Sequence, residues 1–68
     1  MKKVMIKDLK KGDLFTVFNY GDNPDPRHVK IRGDYIRSEK KYECVHWDDT
    51  NRFADYKGTR YVYTDFVF

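Results

Sequence analysis

Cys44 and His46 lie two apart in "KYECVHW" (Lys41 to Trp47). On an extended chain that spacing puts both side chains on one face, within reach of a single metal ion. Two ligands do not close a zinc site, and His28 is the only other imidazole. The expectation is a buried, unreactive thiol beside a core-edge histidine, with no metal. Nucleophilic catalysis by Cys44 would also need a base and an orienting group, and no such set is present. Asp48-Asp49 precedes Thr50-Asn51 and reads as a turn in which short polar side chains bond nearby backbone. Asp22, Asn23 and Asp25 fail the calcium-loop pattern, and Pro24 and Pro26 interrupt it. Gly12, Gly21, Gly33 and Gly58 lack phosphate-loop spacing and read as turn or bulge residues. Arg32-Gly33-Asp34 is an adhesion-type tripeptide that is better explained by a bulge. No acid, base and pocket assemble, so neither an enzyme nor a cofactor is expected.

Binding chemistry is better represented. Residues 27–41 carry six Lys or Arg against Asp34 and Glu39, and residues 1–11 carry five Lys against Asp8. Each block is +4, whereas 12–26 is −3 and 42–68 is −2, which sums to the net +3. Blocks of this kind steer anionic partners. In "RHVKIRGDYIR" (Arg27 to Arg37), alternation sets Val29 and Ile31 against His28, Lys30 and Arg32. A bulge at Gly33 shifts the phase by one residue. Ile31 and Ile36 then both face the core, and the outer row becomes His28, Lys30, Arg32, Tyr35 and Arg37. Lys40 and Lys41 extend the row at the hairpin tip. Cations neutralise phosphates, and an exposed Tyr offers a stacking platform that tolerates any base. The nucleic-acid-binding candidates are therefore Lys30, Arg32, Tyr35, Arg37, Lys40 and Lys41, with single-stranded DNA or RNA as partner. The competing reading is an ordinary solvated strand face.

A second surface competes for function. In the last strand Val62, Thr64, Phe66 and Phe68 alternate with Tyr61, Tyr63, Asp65 and Val67. Both faces are too aromatic for one to be simply wet. Trp47, Tyr61 and Tyr63 are the candidates for binding a protein partner, and the same region or an open barrel edge would serve a weak homodimer.

These residues must be positioned by strands. The chain has one Ala and two Leu, whereas Val, Ile, Thr, Tyr, Phe and Trp number 25. No window carries a 3.6-residue apolar period. Ile6 to Asp13 reads as a lead-in anchored by Ile6 and Leu9 and turned by Lys11-Gly12-Asp13. Strands are expected at Leu14 to Tyr20, Arg27 to Arg37, Lys41 to Trp47, Arg52 to Tyr56 and Thr59 to Phe68. "GDNPDP" (Gly21 to Pro26) is a loop, and "KG" (Lys57, Gly58) is a tight turn.

Sixty-eight residues make one domain spanning 1–68, near the lower limit for unaided folding. Twelve aromatic rings let a small core bury enough area. A lone cysteine fits a reducing interior, and neither a signal peptide nor a membrane-length apolar run is apparent. The expectation is a cytoplasmic monomer or weak homodimer. "IKDLKKGDLFTV" resembles the opening of SH3-like small barrels, where a Gly-Asp turn feeds the first strand. "YIRSEKKYEC", "WDD" and "TDFVF" are similar to short uncharacterised proteins of gut anaerobes and their phages or mobile elements. The resemblance implies a fold and an accessory role and assigns no catalytic or binding residue. The fold expected is an all-β, five-stranded antiparallel SH3-like barrel, with an OB-like barrel or an open antiparallel sheet as alternatives.

Overall fold

A computed structural model describes residues 2–66. Six strands form in chain order: β1 Lys2–Met5, β2 Leu14–Phe15, β3 Lys30–Ile36, β4 Lys41–His46, β5 Phe53–Lys57 and β6 Tyr61–Thr64. Among the described residues the only helical pieces are single 3-10 turns at Ile6–Asp8 and Pro26–His28. β1 and β6 make a two-stranded antiparallel sheet, and β2-β3-β4-β5 make a four-stranded one. The all-β expectation holds. The count is six strands rather than five, and the sheets do not close into a barrel.

β1 is the strand the sequence pattern concealed. "KKVM" offers only Val4 and Met5 behind two lysines, but it pairs across its whole length with β6. Val4 lies opposite Val62 on the core side. Lys3 lies opposite Tyr63 and places its Nζ 5.1 Å from the centroid of the Tyr61 ring. The lysine stem thus covers aromatic surface while its charge stays in water.

The lead-in builds the floor of the core. Ile6 and Leu9 are buried, and the Leu9 N–H closes the 3-10 turn on the Ile6 carbonyl at 3.0 Å. The next turn is self-capped, because the Asp13 carboxylate accepts from the Lys10 N–H at 2.8 Å. Gly12 takes φ +96°, a conformation open to glycine and costly for other residues. That turn delivers Leu14 opposite Ile31 and the buried Phe15 opposite Lys30.

The strand expected over Leu14–Tyr20 is two residues long because the chain changes sheets. Thr16, buried, exchanges both backbone hydrogen bonds with Tyr63, at 2.8 and 2.9 Å. This single bridge joins the two sheets. The Thr64 hydroxyl reinforces it by donating to the Leu14 carbonyl at 2.9 Å. Beyond it the chain leaves regular pairing for the proline loop. There Asp25 caps the 3-10 turn and Tyr20 stacks on His28 with ring centroids 4.1 Å apart. The second long strand therefore starts at Lys30 rather than Arg27. The last strand stops at Thr64, where Asp65 takes φ +62°. Val67 and Phe68, expected to extend it, lie outside the described residues.

The β3–β4 hairpin carries the expected bulge, with the register shifting between Arg32 and Tyr35. A Cβ on Gly33 would run into the Glu43 carbonyl oxygen, so only glycine fits this approach. Ile31 and Ile36 are half-buried, short of the full burial expected.

Candidate nucleic-acid interface

Residues opposite one another in antiparallel strands share a face. One face of β3-β4-β5 therefore carries Arg32, Cys44 and Ala54 in one row and Tyr35, Tyr42 and Tyr56 in another. Lys30 lies opposite His46, and the His46 N–H donates to the Arg52 carbonyl at 3.1 Å, which extends the array. Cys44 is buried, and Tyr42 and Tyr56 pack on the cluster of Ile6, Leu9, Phe15, Cys44 and Val62. This is the core-facing side. Lys30, Arg32 and Tyr35 were expected on the outer face; the register puts them on the inner one, with Tyr35 at its exposed end. Ile31 and Ile36 were expected inward; both lie outward, Ile31 with Leu14, Val45 and Phe53 and Ile36 opposite Lys41. The reason is that Phe15 and Cys44, on the flanking strands, choose the face. Val29, which set the expected phase, is buried ahead of the strand, after the 3-10 turn.

Inversion changes what the two cations do. Arg32 sets its guanidinium carbon 4.1 Å from the centroid of the Tyr42 ring, and its Nε is buried without a hydrogen-bond partner. Lys30 is half-buried, and burial, followed by the Arg52 charge, lowers its pKa from the ordinary value. Cys44 titrates higher than a free thiol, chiefly through burial, with the Gly33 amide and Arg32 acting the other way. A metal role for Cys44 gains no support: among the described residues no group of three His, Cys, Asp or Glu is placed to hold an ion.

The remaining candidates divide at the hairpin tip. Tyr35, 47% exposed, tilts against Tyr42 with centroids 4.9 Å apart. These rings line a groove of about 520 Å³ together with Lys7, Lys40, Lys57, Glu39, Gly58 and Thr59. Lys40 enters it through a left-handed backbone, φ +54°, at the hairpin turn. Arg37 is exposed in that turn, and Lys41 lines a neighbouring hollow with Lys57, Arg60 and Asp55. The structure thus brings Tyr35 and Lys40 together and separates Lys30 from them. Lys7 and Lys57 were missed. Lys57 was legible as part of a turn only, and Lys7 reaches the groove because its N–H binds the Gly58 carbonyl at 3.1 Å.

Of the alternative protein-binding residues, Tyr61 is exposed and Tyr63 half-buried on the outer face of the β1–β6 sheet. Trp47 follows β4 in the other sheet, its N–H donating to the Val29 carbonyl at 3.0 Å. The adhesion-type tripeptide sits in the bulge, with Asp34 in an exposed ion pair to Lys11 at 2.9 Å. The Asp48–Asn51 segment is a turn in which the Asp49 carboxylate accepts from the Asn51 N–H at 3.1 Å.

The fold defines a small all-β domain of two antiparallel sheets. No protein-family model, curated protein or solved structure matches the chain.

Proposed function

We propose that this domain is an open, SH3-like binding module that grips single-stranded nucleic acid weakly and without sequence preference at the Tyr35–Tyr42 groove. One observation carries the reading. Two tyrosine rings and three lysines (Lys7, Lys40, Lys57) line one open groove, with Glu39 the only acidic residue in the lining among the described residues. A base stacked on Tyr35 leaves its flanking phosphates within the reach of long lysine side chains. Arg37 and Lys41 extend the positive field around the tip, whereas Arg32 holds Tyr42 in place rather than meeting phosphate. The activity is binding and not catalysis. A single buried thiol suits a reducing, cytoplasmic setting. Among the described residues no helix is long and apolar enough to cross a membrane.

The second reading is a protein-interaction surface, favoured by Tyr61, which is 52% exposed, and by the exposed Trp47. Fluorescence anisotropy with a short labelled single strand, at low and high salt, separates the two. Binding that weakens steeply with salt supports the phosphate reading. Absence of binding at low salt overturns it.

A further inference from the structure

The opposite end of the same sheet face carries a second array of cations. Lys30 and His46 are opposite each other, and Arg52 follows across the next strand gap. Neighbouring side chains in such an array start about 5 Å apart at Cβ and share one face. Arg52 interacts electrostatically with both Lys30 and His46. Among the described residues no carboxylate forms an ion pair with Lys30 or Arg52. Asp48 and Asp49, in the turn beyond His46, are the acidic groups that act on this array. Asp49 is already committed to capping its own turn. His46 Nδ1 is buried without a hydrogen-bond partner.

Like charges placed directly opposite one another destabilise a sheet. Three neighbouring basic groups, on β3, on β4 and just ahead of β5, with Asp48 as the one acidic group acting on both Lys30 and His46, favour a bound anion. The donor set selects its class. A guanidinium fork, a point-charge ammonium and an imidazole stand on one face, from β3, β4 and the residue ahead of β5, and such a set suits the several oxygens of a tetrahedral anion better than the two oxygens of a carboxylate.

We propose that Lys30, His46 and Arg52 form a binding site for a phosphate-class oxyanion, distinct from the Tyr35–Tyr42 groove. The site does not depend on the nucleic-acid reading, since inorganic phosphate alone is a sufficient probe.

The test is a pH titration of the His46 ring protons by NMR. It is run in inorganic phosphate and in sodium chloride of matched ionic strength. Phosphate at the site favours the imidazolium, so the expected result is a rise in the His46 midpoint of about half a unit over chloride. That rise corresponds to roughly threefold tighter binding to the protonated form. It should vanish in both Lys30→Gln and Arg52→Gln and persist in the Lys40→Gln/Lys57→Gln variant. Arg52 is exposed, so its replacement leaves the fold in place. Equal midpoints in phosphate and chloride overturn the site, as does a rise that survives in either single variant or disappears in the Lys40/Lys57 variant. Failure of oligonucleotide binding leaves this outcome untouched.

Discussion

The Arg32 guanidinium carbon stands 4.1 Å from the centroid of the Tyr42 ring, on the core-facing side of the β3–β4 hairpin. A partly desolvated cation over an aromatic face contributes about 1–2 kcal/mol. Arg32→Gln should therefore destabilise the domain by about that amount in urea denaturation. Arg32→Lys should recover only part, because an ammonium does not stack as a guanidinium plane does. A double-mutant cycle with Tyr42→Leu should return most of the loss as coupling. Additive losses would show that Arg32 behaves as an ordinary surface charge.

Gly33 and Gly58 are tight for different reasons. A Cβ at Gly33 meets the Glu43 carbonyl, which is held in the β4 ladder and cannot move aside. At Gly58 it meets the Tyr42 ring at 3.0 Å and the Lys7 Cβ at 3.3 Å, both parts of side chains. Gly33→Ala should cost about 2–3 kcal/mol and Gly58→Ala about 1 kcal/mol. Thermal or urea unfolding of the two variants checks the order, and equal losses would contradict it.

Much of the hairpin was legible because its signals are local. "SEK" between two alternating segments marks the turn, and Gly33-Asp34 marks the bulge through the phase conflict between Ile31 and Ile36. The alternation of Val62 against Tyr61 and Tyr63 likewise separated the two faces of β6, but which of them is buried was decided by Val4 on β1. The face of β3 was not legible. Lys30-Ile31-Arg32 fits either orientation, since long basic stems line a core edge as readily as they face water. The choice is made by Phe15 and Cys44, which are distant in sequence. β1 was hidden for a related reason: its partner β6 lies some sixty residues away, and the KKVM segment carries no turn signal. The groove at Tyr35 depends on Lys7 and Lys57 meeting across elements, so neither residue could be assigned to it from spacing.

His46 makes stability depend on pH. Burial, and then the Lys30 and Arg52 charges, lower its pKa from the ordinary 6.5. As acid is added, the unfolded chain therefore takes up a proton on this residue before the folded one does. Its effect is absent above the unfolded value, grows as pH falls through 6.5 and levels off below the folded value. In phosphate-free buffer, His46→Gln should lose less stability than the parent between neutral and mildly acidic pH. Parallel stability–pH curves would exclude His46 as the source.

Cys44 is fully buried, with its thiol 3.8 Å from the Tyr42 carbonyl and its pKa raised chiefly by burial. Thiolate formation is suppressed and access is closed, so a thiol reagent should label the folded protein only through opening. Labelling should accelerate in urea in step with loss of the native signal. Rapid labelling in native buffer would mean that the sheet face over Cys44 opens readily.

The proposed oligonucleotide binding at the hairpin tip has a quantitative signature. Lys7, Lys40 and Lys57 line the Tyr35–Tyr42 groove. At about 0.7 per phosphate for a single strand, three neutralised phosphates give a log–log salt slope of about −2. Each Lys→Gln replacement among the three should flatten that slope by about 0.7, whatever the oligonucleotide sequence. Tyr35→Ala should weaken binding by about 1–3 kcal/mol and leave the slope unchanged, because stacking releases no counterions. Tyr35 is half-exposed, so its loss should spare the fold, which circular dichroism checks directly. Arg32→Gln should act mainly through stability and not through the slope, since its guanidinium is held against Tyr42. A slope that falls when Arg32 is replaced, but not when Lys7, Lys40 and Lys57 are, would move the phosphate contacts out of the groove and sink this assignment.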